Sequence, residues 1–484
     1  MLYLLLIMFP LSMAASTYLL RQRTEFIIPA AVATLLVQMA LVGQIPLEDP
    51  ARLLGVVFTL SELNRLFLLV FLGAGLLGLA AAWHIPHGEN FVPIALLILA
   101  LVCGILLLQD LFIVALLLIA SGLAAVLAIV DLPPRSVVLI GTRAIASALK
   151  YLVLMSIAGV LMYFGFVLAD IYRPGELPGR LALSQFILAL LTTGFALRLA
   201  LIPFHGWLLD LVEDAAPMVS ALITAVVAST SLLVLILSLQ RFPVLLIENP
   251  QGIVILRLLA LLTCLLSGLL ALGHSGLRRT VGYLIIYNYG MVFYGLAVVS
   301  EIGLIGAMFE SLNQTLAITL IFVSIGLLER PDGRPGGGIR RDLLRRWPVA
   351  GAGFLAGCLA ILGMPPFSGF AGKLLIYQVA LQQSWLEVLG LAAATLLMGL
   401  AIARLARDRL LGPGEDEVEQ DPLMLGETEV DRPAPRKLER EPRVAATVVI
   451  ALLVLCLMVG IFPQALIDII REATQSLSFI RTVE

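Results

Sequence analysis

The chain has 484 residues, of which 60% are hydrophobic and only 13% charged, against roughly 25% charged in an ordinary soluble domain. So little charge cannot clothe an apolar core of this size in water, which excludes a soluble enzyme. A net charge of −2 gives no bulk attraction to nucleic acid or to any highly charged partner.

The first element is MLYLLLIMFPLSMAASTYLL. Its basic residues, Arg21 and Arg23, follow the apolar run instead of preceding it, so it reads as a first membrane span with its start outside, not as a cleaved signal. A bilayer core needs about 20 apolar residues per helix. Further runs of that kind fall at 26–44, 66–85, 91–108, 111–130, 144–168, 183–202, 217–240, 254–272, 281–299, 303–328, 349–376, 386–406 and 444–462. The expected fold is therefore an all-α membrane protein of about fourteen transmembrane helices, the seventh and twelfth interrupted by proline.

Cationic residues order these spans. Connections after odd-numbered spans hold Arg21 and Arg23, Arg135 and Arg143, Arg278 and Arg279, and six arginines from Arg330 to Arg346; the loop 407–443 adds seven cations from Arg407 to Arg443. Connections after even-numbered spans hold only Arg52, Arg65, Arg173, Arg180, Arg241 and Arg257. The positive-inside rule puts the odd connections in the cytoplasm and both termini outside. An even number of spans requires that the termini share a side. The loop 407–443, charged and proline-rich, reads as a flexible cytoplasmic segment, and 464–484 as a weakly amphipathic tail on the outer face.

The four cysteines, Cys103, Cys264, Cys358 and Cys456, are far apart and form no CxxC. They read as small apolar core residues, so no metal and no cofactor is expected. Polar groups inside the spans are more informative, because a charge at bilayer depth is costly and is by default functional. The chain has three lysines, of which Lys150 and Lys373 fall in spans. Lysine is the cation whose proton burial can loosen, whereas arginine stays charged.

Lys373 follows a double proline in GMPPFSGFAGKLLIYQ. Pro365 and Pro366 remove backbone donors, so the helix should break there, and a break at membrane depth must face protein or water. Gly369 and Gly372 admit a close neighbour. The expected picture is a discontinuous helix beside a hydrated cavity; the competing reading is a lysine reaching for an interface. In ALRLALIPFHGWLLDLVEDAAP, Arg198 precedes the break at Pro203 and His205 follows it. His205 either relays protons or structures the turn with Trp207. Asp210, Glu213 and Asp214 either gather protons at the cytoplasmic mouth or are simply solvated. Glu310, Asn313 and Gln314 share one helical face, able to exchange a proton, to pair with a lysine or to form a helix–helix contact. Lys150 lies near the cytoplasmic end of its span, where snorkelling competes with function. Two broken helices five spans apart suggest an inverted duplication of spans four to eight in spans nine to thirteen, the pattern in which broken helices mark an ion path. The expected division is 1–90, 91–240, 254–406, 407–443 and 444–484.

These stretches resemble the antiporter-like, proton-translocating subunits of respiratory complex I, the Mrp antiporters and membrane-bound hydrogenases. The likeness runs over roughly residues 50–410 and is most specific in PFHGW and GMPPFSGFAGK. In that family a chain of buried residues is thought to carry protons along the membrane midplane. By resemblance Lys373 matches the twelfth-span lysine and Lys150 a sixth-span lysine, while Arg198 stands where a seventh-span lysine belongs. Glu310 and Gln314 stand where histidine and lysine are usual. The fifth span has Ile119 in place of a carboxylate, and the eighth has no lysine or histidine. The resemblance implies a membrane-arm subunit of a complex-I-like NADH/quinone oxidoreductase in the inner membrane, without a catalytic site of its own. It would conduct protons or sodium ions beside other membrane subunits. Two alternatives stand: a subunit of an Mrp-type antiporter, or a scaffold that translocates nothing.

Overall fold

Each apolar run falls on one helix or on a helix pair in the structure, a computed structural model that describes residues 1–21, 23–53, 55–133, 138–172, 180–329, 343–411 and 441–475. The flexible loop expected at 407–443 lies outside the described residues over 412–440, as does the end of the tail. In chain order the helices are α1 (Leu2–Leu19), α2 (Thr24–Gln44), α3 (Glu62–Ala82), α4 (Phe91–Leu107), α5 (Leu111–Val130), α6 (Val138–Ile171), α7 (Arg180–Arg198), α8 (Gly206–Asp214), α9 (Pro217–Ala221), α10 (Ala228–Arg241), α11 (Val244–Ile247), α12 (Pro250–Leu272), α13 (Leu277–Ala297) and α14 (Glu301–Leu328). Then follow α15 (Leu343–Arg346), α16 (Pro348–Leu362), α17 (Gly369–Gln383), α18 (Trp385–Leu405), α19 (Arg443–Ile461) and α20 (Pro463–Gln475).

Among the described residues, ten helices are long and apolar enough to cross a membrane, and Phe91–Leu107, Leu183–Arg198 and Pro348–Leu362 are shorter apolar helices. α13 has the length but opens on Arg278 and Arg279 and carries Tyr283, Tyr287, Asn288 and Tyr289. The starts follow ordinary capping chemistry: the side chains of Ser61, Asp110, Ser300 and Ser384 accept backbone N–H groups in the first turns of α3, α5, α14 and α18.

Both expected breaks are present. α7 stops at Arg198 and the chain resumes as α8 past Pro203; α16 stops at Leu362 and resumes as α17 past Pro365 and Pro366. The second half of the twelfth run extends to Gln383, beyond the expected 376. The eighth run is interrupted by a π-helical segment, Leu222–Val227, between α9 and α10, which hydropathy could not signal. One departure from an all-helical chain is a hairpin of β1 (Ala51–Leu53) and β2 (Val56–Phe58). Gly55, at φ +82°, supplies the turn, and Val56, Val57 and Phe58 are strand-forming residues.

At the centre stands α14, buried along nearly its whole length and packed against α3, α9, α13, α16, α17, α19 and α20. Gly372 lets α17 approach it: a Cβ there would lie 3.0 Å from Glu310 Oε2 and from Phe309 Cδ1 of α14. Within the segment read as an amphipathic tail, α20 buries Ile467, Ile470 and Ala473 in docking onto α3, α14 and α19.

Candidate functional site

The central helix and the second broken helix meet at a buried ion pair. Lys373 Nζ, on the second turn of α17, lies 3.2 Å from Glu310 Oε1 of α14, and neither side chain is more than 3% exposed. Lys373 donates also to Asn288 Oδ1 of α13 at 2.8 Å, and its ammonium stands 5.0 Å from the centre of the Tyr287 ring. Asn313 Nδ2 donates to the same Glu310 oxygen at 3.0 Å, while Ser368 bonds to Asn313 Oδ1. Glu310 Oε2, which faces Gly372, has no hydrogen-bond partner among the described residues.

From this pair a line of amides runs across the bundle. Asn288 Nδ2 donates to Gln314 Oε1 at 3.0 Å, and Gln314 Nε2 donates to Ser229 Oγ of α10 at 3.0 Å. The π-helical segment beside it frees carbonyls that side chains take up. Tyr289 Oη donates to Thr224 O at 2.7 Å and Thr315 Oγ1 to Ala225 O at 3.2 Å. Two residues along α10, Ser231 Oγ accepts from Arg198 Nε at 2.9 Å. Arg198 is 2% exposed and donates also to Leu118 O of α5 at 3.4 Å. Among the described residues no carboxylate lies within ion-pair reach of it.

The α8 side of the first break is laced with exposed or half-buried pairs. Lys150 Nζ stands 2.6 Å from Asp210 Oδ2, Arg279 3.1 Å from Glu213, and Ser147 donates to Asp214 at 2.5 Å. Lys150, its side chain 46% exposed, lies outside the buried line. His205 packs near Tyr283, ring centres 6.5 Å apart. Trp207 ties the same turn back to α7, its Nε1 donating to Leu197 O at 2.9 Å. The structure thus joins Lys373, Glu310 and Gln314 in one network, sets Arg198 at its far end, and leaves Lys150 and His205 outside it.

A family profile described as NADH:quinone oxidoreductase/Mrp antiporter, TM matches residues 136–399, more than half of the chain. The chain belongs to this family. It is 24% identical to the F(420)H(2) dehydrogenase subunit N of Methanosarcina mazei over 399 residues, 75% of this chain and 77% of that one. It is 22% identical to the NADH-quinone oxidoreductase subunit N of Desulforamulus reducens over 347 residues, 69% and 68% of the two chains. Its fold is similar to a chain of the Mrp complex of Dietzia sp. DQ12-45-1b, with a TM-score of 0.81 at 20% identity, over 99% of this chain and 98% of the other.

Within the antiporter-like family frame, the departures seen in sequence have structural counterparts. Ile119, in place of a carboxylate, packs on α6, where a Cβ on Gly159 would fall 2.2 Å from Ile119 Cγ1. In the eighth run, which has no lysine, hydroxyls are the polar groups that meet the line: Ser229 accepts from the Gln314 amide and Ser231 from the Arg198 guanidinium. Sequence reasoning missed Ser229, Ser231 and Asn288. Their signal was present, in the hydroxyl run ASTS within an apolar helix and in the lone amide of α13. All four cysteines are buried and free, and among the described residues no group of His, Cys, Asp and Glu could hold a metal ion.

Proposed function

We propose that this chain is a membrane-arm subunit of a complex-I-like NADH/quinone oxidoreductase and conducts protons through its buried charged residues. The observation that carries the reading is the Lys373–Glu310 pair, sealed inside the bundle at a helix break and continued by Asn288, Gln314 and Ser229. An ammonium and a carboxylate in contact can exchange one proton without leaving net charge in the membrane, and the amides can orient water between successive sites. Arg198 holds its proton too firmly to act as a shuttle. Its fixed charge would set the potential at the far end of the line. The resemblance to subunit N proteins supports this reading.

In this reading the fourteen runs are fourteen spans, with both termini outside the inner membrane and spans four to eight and nine to thirteen as inverted repeats. The partners are other membrane subunits, the bilayer and the transported protons or sodium ions. A second reading, a subunit of an Mrp-type antiporter, is favoured by the fold likeness to the Mrp complex chain. Co-purification separates the two: flavin or iron–sulfur subunits travelling with the chain support the first, and their absence the second. Lys373→Ala and Glu310→Gln, assembled and assayed for proton movement in vesicles, test translocation itself. Loss of movement is expected. Wild-type movement in assembled variants would leave only a scaffold.

A further inference from the structure

A second polar cluster lies on the other side of Lys373, at the end of the bundle opposite the arginine-rich connections. Tyr294 Oη donates to Glu387 Oε2 at 2.5 Å, and Arg257 Nε stands 3.0 Å from the same oxygen. Arg257 Nη1 donates to Gln383 Oε1 at 2.7 Å. These residues come from α12, α13, α17 and α18, beside the connections 242–249, 298–300 and 384. The Arg257 and Glu387 side chains are 14% and 11% exposed, so the pair is nearly covered yet reaches the surface.

Helical spacing joins this cluster to Lys373. Its ammonium rests over Tyr287, whose hydroxyl lies 2.7 Å from Thr395 Oγ1, which lies in turn 2.6 Å from Tyr377 Oη. Tyr287 and Tyr294 are seven residues apart on α13, Lys373 and Tyr377 four apart on α17, and Thr395 and Glu387 eight apart on α18. Each pair therefore shares a helical face, and one stripe runs from the Lys373 hydroxyl trio to Glu387, about 12 Å along α18. Leu391, midway along that length of α18, is buried, and its carbonyl accepts from Tyr377 Oη at 3.2 Å.

We propose that Glu387 is the group through which protons leave this subunit, with Tyr294 and Arg257 positioning it; this rests on the translocating reading above. The proton departs from Lys373 as the ammonium becomes an amine and crosses on water admitted along the hydroxyl stripe. It is taken up by the Glu387 carboxylate and passes from that carboxyl to water outside, so protons and charge balance. Arg257 already reaches Gln383, a neutral amide able to hold the guanidinium while Glu387 is protonated.

The test uses the assembled complex in vesicles, with proton movement read by a pH-sensitive dye at several outer pH values. Glu387→Gln should lower translocation by about a hundredfold, the lower end of what positioned acid–base groups contribute, and flatten its dependence on outer pH. Glu387→Asp should keep both. If Glu387→Gln does not assemble, Tyr294→Phe, which preserves the ring, should displace the outer-pH profile. Wild-type rate and profile in Glu387→Gln or Tyr294→Phe, with Lys373→Ala inactive, would overturn the exit and spare the translocating reading. An active Lys373→Ala would overturn both.

Discussion

Lys373 and Glu310 each lose their hydration inside the bundle, and each is tolerable only because the other is there. Removing one partner of such a pair leaves an uncompensated charge, a penalty of about 3–5 kcal/mol, whereas replacing both with uncharged groups is often nearly neutral. Lys373→Met and Glu310→Gln should therefore each lower the unfolding midpoint in detergent, and the double variant should recover much of the loss. Purely additive losses would show that the two charges do not depend on each other. Gly363, which ends α16, makes a different demand. It sits at φ +76°, and a Cβ there would lie 2.6 Å from Lys373 Cδ. Gly363→Ala should cost about 1–3 kcal/mol through backbone strain and also displace the lysine stem, so proton movement should fall with stability. A variant of wild-type stability and activity would show that the left-handed turn is dispensable. The pair itself was legible from two polar residues in apolar runs. Asn288 was marked in the sequence only as the lone amide of its run, and that mark gained meaning once the fold brought α13 against α17.

The two broken helices use their ends differently. Arg198 lies in the last turn of α7, where the helix dipole favours a cation, and its forked guanidinium reaches Ser231 on α10 and Leu118 O on α5. A lysine keeps the charge but cannot bond both from one ammonium in the same geometry. Arg198→Lys should therefore destabilise by about 1.5–3 kcal/mol, the worth of a hydrogen bond to a charged group. In Arg198→Lys/Ser231→Ala the losses should be less than additive. Full additivity in thermal unfolding would mean that Ser231 does not hold the guanidinium. Proline announced both breaks in the sequence. The π-helical segment before α10 left no such mark: it contains no proline or glycine, and the tertiary hydrogen bonds from Tyr289 and Thr315 to its carbonyls are not written locally in the chain.

For the molecule as a whole, hydropathy located the helices because a bilayer demands a continuous apolar length, a requirement written locally in the chain. Packing partners are not written that way, which is why the central place of α14 and the docking of α20 emerged only in three dimensions. Orientation rests on charge: the connection between α12 and α13 precedes Arg278 and Arg279, while the connection before α12 carries Arg241 alone. If odd connections face the cytoplasm, residues 251 and 275, at opposite ends of α12, lie on opposite sides of the membrane. Both are exposed, and the four native cysteines are buried, so an added thiol reports against a quiet background. An impermeant maleimide should label Gln251→Cys only in right-side-out vesicles and Ser275→Cys only in everted ones. The reverse pattern would invert the whole assignment, placing Glu387 at the cytoplasmic mouth and the Lys150–Asp210 pair outside. Labelling of both from one side would show that α12 does not cross.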